Sequence, residues 1–528
     1  MDPLITPRHR RRAVALLTVL ATAATLLTVS VSPAAAATGS INGIAGKCVD
    51  VAGASRANGT QVQLWTCNGT TAQQWTTGTD GTVRALGKCL DVASGSTANG
   101  AKVQIWDCNG TGAQQWTATA ANELVNPQSN KCLDATNQSS ADGTALQIWS
   151  CSGNANQKWT LPSTPPPANF AHPGVLVSRA QLDFIRTKVN SAAQPWKAAY
   201  DQMFASTYAS LSRTPMPRAV VECGPISNPN FGCTDERQDA IAAYTDALIW
   251  YITGDTRYAS KAIALMDAWS AVITDHTNSN APLQTGWSGA VWARSAEIIK
   301  HTYSSWPNAG RFATMLRNVY LPEIVNGMPT YNGNWELVMM EAAIGIGIFL
   351  DDRAVYNAAM AKFRARVPAY IYLTSDGPYP VPPAGTSIDT PSEIISFWQG
   401  QSTFVDGLTQ ETCRDFTHTG YGISSISHVA ETARIQGDDV YNEVKDRLRH
   451  AMGLHTKYEI GTAVPSWLCG GSVSLGLGPV TEVGFNALNF RLGIAMANTQ
   501  TYTDSRRPQG TNNLFIAWET LTHAANPN

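Results

Sequence analysis

The chain has 528 residues, a formal net charge of −2 and only 14% charged residues. This length predicts several domains, and the mildly acidic balance excludes the broad basic face that nucleic acid requires. An anionic sugar polymer is not excluded, because it needs only a local cluster of arginine and lysine. We therefore expect no nucleic-acid partner.

The first segment, residues 1–37, has the features of a secretory leader. Arginines at positions 8 and 10–12 precede an apolar run over about 13–29, and small residues in an Ala-x-Ala pattern end the segment. This order is typical of a signal peptide. The alternative is an uncleaved membrane anchor, because the apolar run is nearly long enough to span a bilayer. We favour cleavage, which predicts a secreted, extracellular protein with no membrane partner afterwards.

Ten cysteines indicate disulfide bonds, which are the default in an exported protein. Three pairs are each 19 residues apart: Cys48 and Cys67, Cys89 and Cys108, Cys132 and Cys151. Cys223 and Cys233 suit a local loop closure, and the pairing of Cys413 with Cys469 stays open. The sequence has no Cys-x-x-Cys motif and no histidine-rich stretch, which are the spacings typical of zinc sites. We therefore expect neither a metal nor another cofactor.

Residues 38–161 contain an internal threefold repeat. "GKCVDVAG", "GKCLDVAS" and "NKCLDATN" open the copies, "VQLWTCNG", "VQIWDCNG" and "LQIWSCSG" continue them, and Gln-x-Trp closes each one. Apolar alternation between Gly, Asn and Ser turns predicts several short strands per copy. Three copies can close on a shared core that none could bury alone.

These motifs resemble the ricin B-type β-trefoil lectins, a family of carbohydrate-binding modules. The resemblance implies one sugar site per copy, in which an aspartate and a glutamine bind hydroxyl groups and a tryptophan stacks on the sugar ring. The implied residues are Asp50, Gln63 and Trp65; Asp91, Gln104 and Trp106; and Asp134, Gln147 and Trp149. The alternative is that they only brace the repeat.

The three copies differ at the position before Gln-x-Trp. The family often has asparagine there, and this chain has Ala72, Ala113 and Asn156. The third copy therefore keeps the full set of polar groups, and we favour it as a binding lobe.

A proline-rich stretch at 162–170 predicts an extended linker, and the apolar spacing from 171 to 528 becomes helical. Ser178 is a predicted helix cap. Further helices are predicted at 257–275, 288–304, 310–324, 335–350, 353–366, 422–436, 439–454 and 481–497, with strand-like sequence near 456–478. The predicted fold class is multidomain: an all-β β-trefoil, then a mainly α (α/α) toroid or incomplete barrel with an open groove.

The stretch "ETCRDFTHTGYG", residues 411–422, places Arg414, His418 and Tyr421 at offsets of four and seven. On a helix these side chains share one sector. The three types suit β-elimination on a uronic acid, which needs a donor for the carboxylate, a base for the C5 proton and an acid for the departing oxygen. A nearby arginine would also lower the pKa of the tyrosine. The alternative is a solvated surface.

A second stretch, "YNGNWELVMMEAAIGIG" at 331–347, supplies Asn332 and Asn334 where a helix is predicted to begin. Asn334 could bind the substrate carboxylate or cap the helix. The two roles are compatible, because a helix start also offers free N–H groups to an anion.

At these residues the chain resembles the alginate lyase superfamily, which includes alginate lyases of the (α/α)-toroid type and related glucuronan lyases. Arg414 and Tyr421 match the family's Arg–Tyr pair, and Asn334 matches the second residue of its Asn-Asn-His element. Trp335 stands where the family has histidine, and by our inference from spacing His418 takes that part. The opening "HPGVLVSRAQLDFIRTKVNSAAQPWKAAYDQM" is also similar.

The resemblance implies catalytic roles for four residues. Tyr421 would act as base and acid, or as acid alone, while Arg414 and Asn334 would hold the carboxylate, and His418 joins them by spacing. Predicted substrate contacts are Asn332, Trp335, Trp287 and Arg294, although Arg294 could instead pair with Glu297.

The sequence thus predicts a monomeric, secreted polysaccharide lyase for alginate or glucuronan, held on carbohydrate by its lectin. One alternative is a glycoside hydrolase on the same fold, which would need two carboxylates across a groove. Asp235, Glu236, Asp239, Glu336 and Glu341 are available for it. The other alternative is a non-catalytic protein that only binds polysaccharide.

Overall fold

The computed structural model describes residues 37–77, 80–119, 121–162 and 169–528. The chain divides into two compact units after Pro162. The predicted leader lies outside the described residues apart from its last residue, and so does most of the predicted linker. Each unit is therefore described by itself.

The first unit is a β-trefoil of short antiparallel strands. In chain order the strands are β1 Ala37–Gly39, β2 Cys48–Val51, β3 Thr60–Trp65, β4 Trp75–Thr77, β5 Val83–Ala85, β6 Lys88–Val92, β7 Ala101–Trp106, β8 Thr117–Ala118, β9 Leu124–Asn126, β10 Lys131–Ala135 and β11 Leu146–Trp149. Each sequence copy forms one hairpin, namely β2–β3, β6–β7 or β10–β11. The second strands of the three hairpins also pair with one another.

The trefoil core repeats three times, as the sequence predicted. The Gln-x-Trp tryptophans, Trp75, Trp116 and Trp159, are buried, and each indole N–H donates to a backbone carbonyl 26 residues earlier at 2.8–3.0 Å. A buried indole needs such a partner. The three predicted disulfides are confirmed, and each joins the first strand of a hairpin to the residues just after its second strand.

The second unit is mainly helical. Its helices are α1 Arg179–Asn190, α2 Trp196–Phe204, α3 Cys233–Thr253, α4 Thr256–Ser270, α5 Ala281–Thr302, α6 Ala309–Met315, α7 Leu321–Ile324, α8 Gly333–Phe349, α9 Arg353–Arg366, α10 Pro391–Phe397, α11 Phe416–Ile435, α12 Val440–Glu459, α13 Glu482–Phe485, α14 Ala497–Arg506 and α15 Glu519–His523. Two π-helical turns, Leu316–Tyr320 and Asn486–Arg491, continue α6 and α13. Three short strands, β12 Val220–Cys223, β13 Asn230–Phe231 and β14 Asp275–Thr277, form a small sheet.

The helices form two layers around a closed circuit. Contacts pass from α3 through α5, α8, α11, α13, α15 and α1 back to α3, while α4, α9 and α12 pack outside α3, α8 and α11. Helices α3, α5, α8 and α11 are buried on nearly every side. The outer helices bury one face only, as an amphipathic pattern predicts. This is the predicted α/α arrangement.

The predicted strand segment near 456–478 is wrong. Helix α12 continues to Glu459, and the following residues form no strand. Glu459 accepts the backbone N–H groups of Gly476 and Leu477 at 2.6 and 2.7 Å, and the Cys413–Cys469 disulfide ties the segment to the start of α11. Side-chain and covalent links therefore hold this loop where strand pairing was expected. The Cys223–Cys233 bond, which was also predicted, closes the loop before α3.

The inner helices begin at one rim of the circuit. Arg237 in the first turns of α3 donates to Gln284 near the start of α5, and Asn334 at the start of α8 contacts Glu411 just before α11. Because a helix N-terminus carries partial positive charge, this rim favours anions. No helix among the described residues has both the length and the apolar character needed to cross a bilayer.

Candidate active site and lectin sites

Three polar residues meet where α11 begins. Helix α11 begins at Phe416, six residues earlier than the predicted 422–436 helix, so His418 and Tyr421 lie in it and Arg414 lies just before it. The Nη2 atom of Arg414 is 3.1 Å from Nε2 of His418, and the rings of His418 and Tyr421 are 5.5 Å apart. The structure therefore brings the three together, with Arg414 in a turn and not on the helix.

Hydrogen bonds determine the tautomer of His418. Its Nδ1 atom lies 2.8 Å from both carboxylate oxygens of Asp415, which also caps α11 by accepting the His418 backbone N–H. A carboxylate accepts only and a guanidinium donates only. Nδ1 therefore carries the proton, and Nε2 presents a lone pair toward Arg414. Burial raises the pKa of Asp415, but the hydrogen bonds from His418 and the charge of Arg414 outweigh it, so the net pKa lies below its ordinary value.

Glu411 anchors Arg414 from beneath. Its carboxylate is fully buried and accepts from Nη1 of Arg414 at 2.7 Å. It also accepts from the Asn334 amide at 2.8 Å, from the Asn334 backbone N–H at 3.1 Å and from the Tyr370 hydroxyl at 3.1 Å. The guanidinium is about a third exposed. Glu411 thus fixes one side of Arg414 and leaves the other available.

Two glycines make room for Tyr370 in this arrangement. A Cβ on Gly333, at the start of α8, would lie 2.1 Å from the Tyr370 ring, and a Cβ on Gly422 in α11 would lie 2.2 Å from it. Burial and the neighbouring Glu411 raise the pKa of Tyr370 well above its ordinary value. The hydroxyl group therefore stays protonated and donates to Glu411.

Asn334 is buried and cannot contact a substrate at the surface. Its side chain is 1% exposed and faces Glu411, so it supports Arg414 through that carboxylate. Nor does it cap α8: the helix begins at Gly333, Asn332 is the cap residue, and its side chain makes no capping bond. The free N–H groups of Gly333 and Asn334 donate to Gln410 and Glu411. The anion at this helix start is the chain's own Glu411.

The predicted aromatic and amide contacts lie beside the start of α8. The Asn332 side-chain oxygen accepts from Gln399 at 3.2 Å and from Gln410 at 3.0 Å. Trp335 is half-buried, and its ring lies 5.0 Å from the exposed ring of Tyr331. These rings form an aromatic surface on the rim where the inner helices begin.

Tyr421 lies among rings from three parts of the chain. Its ring is 6.4 Å from Trp287 in α5 and 6.0 Å from Phe515, in addition to His418. Its hydroxyl group has no hydrogen-bond partner among the described residues. Burial raises its pKa, Asp415 adds to this effect, and Arg237 and Arg414 act in the opposite direction; the net pKa is above its ordinary value. The expected lowering by arginine is therefore wrong in net direction, because burial outweighs it.

Arg294 is a buried residue and not a surface contact for substrate. It is 1% exposed, donates to the Phe515 carbonyl at 2.7 Å, contacts His428 at 3.0 Å and pairs with Glu341. The expected pairing with Glu297 is wrong. The contact with Phe515 places Arg294 under the ring that packs against Tyr421, so its role is to support that ring.

One cluster at the opposite ends of the inner helices has metal-ligand residue types. His172, Glu297 and His301 bring their ligand atoms within 4.8 Å of one another. The two imidazole rings are stacked at 4.1 Å with an interplanar angle of 8°. Their lone pairs then lie in parallel planes, and one ion cannot lie in both. The geometry fits two histidines that share the buried Glu297 carboxylate.

The three predicted lectin sites have the same construction. One oxygen of each aspartate accepts from the facing strand glutamine: Asp50 from Gln63 at 3.0 Å, Asp91 from Gln104 at 2.9 Å and Asp134 from Gln147 at 2.9 Å. The other oxygen accepts from the Gln-x-Trp glutamine at 2.9–3.2 Å. Trp65, Trp106 and Trp149 are 40%, 39% and 43% exposed. Each lobe thus holds an oriented carboxylate near an exposed indole.

The third lobe has an additional polar group. Asn156 donates to Asp134 at 2.7 Å, and its own side-chain oxygen is buried without a partner. Ala72 and Ala113 occupy this position in the other lobes, so only the third has an amide there.

Comparison with known families agrees with both units. Residues 37–159 match the ricin-type β-trefoil lectin domain, and residues 192–380 match the alginate lyase family. The chain joins a ricin-type lectin domain to an alginate lyase domain. The lyase match contains Trp287, Arg294, Asn332, Asn334 and Trp335 and ends before α11. No curated protein matches the chain.

Solved structures resemble the lectin part. The agglutinin from Abrus precatorius is 32% identical over 24% of this chain and 48% of its own, with a TM-score of 0.23. The designed threefold-symmetric protein ThreeFoil is 33% identical over 24% of this chain and 98% of its own, with a TM-score of 0.22. The chain thus spans about half the length of the agglutinin chain.

The sequence did not predict roles for three residues that lie close to Arg414, His418 and Tyr421. Glu411 and Asp415 stand in the stretch that contains Arg414, and an Asp before a helix is a recognisable cap signal. Arg237 in α3 gave no signal, because its neighbours Trp287 and Tyr421 are far along the chain.

Replacing Asp415 with asparagine tests its effect on His418. Asparagine caps helices about as well as aspartate, so we expect the Asp415→Asn protein to melt normally. The variant loses the charge that fixes the imidazole tautomer, and a comparable loss in a catalytic triad costs about 10⁴ in kcat. We expect kcat to fall by about 10²-fold or more, measured with soluble uronate polymer. Unchanged kcat would show that Asp415 serves only as a cap.

Proposed function

We propose that the protein is a secreted polysaccharide lyase that cleaves a uronic acid polymer, alginate or glucuronan, by β-elimination. The observation that carries the proposal is the contact set of Arg414, His418 and Tyr421 at the start of α11. The alginate lyase match supports the enzyme class. The leader-like start of the sequence and the five disulfides support export.

Arg414 is the group proposed to hold the substrate carboxylate. Elimination removes the C5 proton, which is α to that carboxylate, and negative charge then develops on its oxygens. A preorganised cation at those oxygens stabilises this charge. Glu411 already fixes the guanidinium through Nη1. Nη2 therefore stays in place when it exchanges its contact with His418 for the substrate carboxylate.

His418 and Tyr421 are the proposed base and acid. When the carboxylate occupies Nη2 of Arg414, Nε2 of His418 is free to take the C5 proton. The electrons of the C5–H bond form the C4–C5 double bond, and the C4–O4 bond breaks. Tyr421 gives its proton to the departing oxygen, and solvent then restores both residues. The raised pKa of Tyr421 favours this assignment, because it keeps the phenol protonated.

The carboxylates near Arg414, His418 and Tyr421 support a hydrolase less well than a lyase. A hydrolase needs a protonated carboxylic acid facing a second carboxylate. Glu411 is fully buried on Arg414, and Asp415 is bound to His418. Each carboxylate named from the sequence already has a basic side chain as its partner: Asp235 with Arg218, Glu236 with His276, Asp239 with Arg213, Glu336 with Arg366 and Glu341 with Arg294.

A direct assay tests the proposal. The purified full chain is incubated with alginate, glucuronan or hyaluronan while the ultraviolet absorbance of unsaturated uronate is recorded. We expect absorbance to rise with alginate or glucuronan. New reducing ends without absorbance would indicate a hydrolase, and no product from any uronate polymer would refute the proposed activity.

The lectin domain is proposed to hold the enzyme on insoluble carbohydrate, where tethering raises the local concentration of the catalytic domain. Replacing Trp65, Trp106 and Trp149 together by alanine should lower turnover of particulate substrate about tenfold or more. Turnover of soluble oligomers should not change. Phe204→Ala, which removes an exposed aromatic ring from α2, is the control. Equal losses on both substrates would contradict the targeting role.

A further inference from the structure

Arg237 differs from the other buried arginines of the described residues. Arg237, Arg294 and Arg366 are 7%, 1% and 2% exposed. Arg294 pairs with Glu341 and Arg366 with Glu336, whereas no carboxylate oxygen of the described residues lies within 4.0 Å of a nitrogen of Arg237. Buried charges are normally paired with an opposite charge. Arg237 is therefore expected to bind an anion that the described residues do not supply.

Neighbouring groups leave part of this guanidinium unused. One Nη atom donates to Gln284 at 2.7 Å, the other lies 3.3 Å from Thr234, and Nε is buried without a partner. The adjacent carboxylate, Glu236, is already bound to His276, Gln284 and Tyr320. Glu236 therefore acts on Arg237 only through its charge, and no acidic group of the described residues accepts a hydrogen bond from the guanidinium.

Arg237 is linked to the proposed catalytic residues by a chain of contacts. Its guanidinium carbon lies 5.6 Å from the centre of the Trp287 ring, and Trp287 contacts Tyr421. Tyr421 contacts His418, which bonds Arg414. The proposed acid thus lies between two cations, one on α3 and one before α11.

We propose that Arg237 binds the carboxylate of the uronate next to the one that reacts. The inference rests on the proposed lyase function and specifies its substrate: a polymer in which neighbouring sugars both carry carboxylates. In a 1,4-linked uronan whose chain has a twofold repeat, consecutive carboxylates point to opposite edges of the chain. A polymer with one carboxylate on Arg414 therefore presents the next one to a different side of Tyr421, where Arg237 lies. Polymers in which uronates alternate with amino sugars leave Arg237 unpaired and bind less well.

Calorimetric binding separates this inference from turnover. The Tyr421→Phe chain, with and without Arg237→Gln, is titrated with an oligouronate and with a hyaluronan oligomer of equal length. A hydrogen bond to a charged group is worth about 1.5–3 kcal/mol, so we expect Arg237→Gln to weaken oligouronate binding about 10- to 100-fold. Hyaluronan binding should change little. The ratio of the two affinities, which measures the preference for contiguous uronate, should therefore fall.

One further variant and a melting measurement complete the test. Arg179→Gln removes an arginine at the start of α1 that donates to the His301 carbonyl near the C-terminal end of α5, and it should change neither affinity. Arg237→Gln should melt no lower than its parent, because it removes an unpaired buried charge. Unchanged oligouronate affinity, or equal weakening of both ligands with a lower melting temperature, would overturn the inference. If the wild-type chain prefers oligouronate to hyaluronan but cleaves neither polymer, the lyase proposal is refuted and the inference about Arg237 stands.

Discussion

Tyr421→Phe is expected to lower kcat by about 10³-fold or more, since a positioned general acid contributes about 10²–10⁴. The substitution removes only a hydroxyl group that has no partner among the described residues, and it keeps the ring that contacts Trp287, His418 and Phe515. The melting temperature and the affinity for oligouronate should therefore stay at wild-type values. Steady-state assays with soluble polymer and calorimetry on the same preparation measure both quantities.

The pH dependence of kcat/KM tests independently whether Tyr421 must be protonated for activity. Its pKa is raised, so the protonated form needed to donate to O4 persists to a higher pH than for an ordinary tyrosine. We expect the alkaline decline of kcat/KM to begin above the ordinary tyrosine pKa of about 10. A decline that Tyr421→Phe leaves in place would assign it to another group. Near-normal kcat in Tyr421→Phe would remove the residue from the mechanism.

The second large effect is expected at Arg414. Arg414→Gln removes the cation proposed for the substrate carboxylate, so kcat/KM should fall about 10²- to 10³-fold, as for loss of a preorganised donor. It also leaves Glu411 fully buried without its cation. A buried acceptor that loses one partner costs about 1–3 kcal/mol of unfolding free energy, and this range applies because Glu411 is buried although Arg414 is itself partly exposed. Activity and stability should therefore fall together.

A second substitution separates the two losses. Adding Glu411→Gln to Arg414→Gln removes the uncompensated charge, so we expect most of the lost unfolding free energy to return, measured by denaturant titration. Activity should not return, because the substrate carboxylate still lacks its cation. Recovery of both in the double variant would show that Arg414 acts only through stability.

The lectin domain was predictable from sequence because its information is local and repeated. Asp50, Asp91 and Asp134 occupy the same place in each copy, and the structure pairs each with its glutamine in the same register. The helical class was also predictable, because helix period is a local signal. The start of α11 was less so, since Asp415 ends the turn at a position that the apolar pattern does not mark.

The arrangement of residues around Arg414, His418 and Tyr421 was predictable only in part. Spacing along α11 brought His418 and Tyr421 together, but Glu411 acquires its role from Asn334 and Tyr370, which join it only in the folded chain. Asn334 was expected to face substrate and instead binds Glu411. The pKa direction at Tyr421 was wrong for a similar reason, because burial by Trp287 and Phe515 cannot be read from neighbouring residues.

Digestion of alginate or glucuronan in oxygen-18 water, followed by mass spectrometry of the new ends, tests most directly whether Arg414, His418 and Tyr421 carry out an elimination. Water takes no part in breaking the C4–O4 bond, so we predict unsaturated ends without heavy oxygen, and none from the Tyr421→Phe chain. Saturated non-reducing ends in place of the unsaturated ones would contradict the mechanism, because hydrolysis leaves O4 and its proton on that end and places the oxygen of water on C1 of the other fragment.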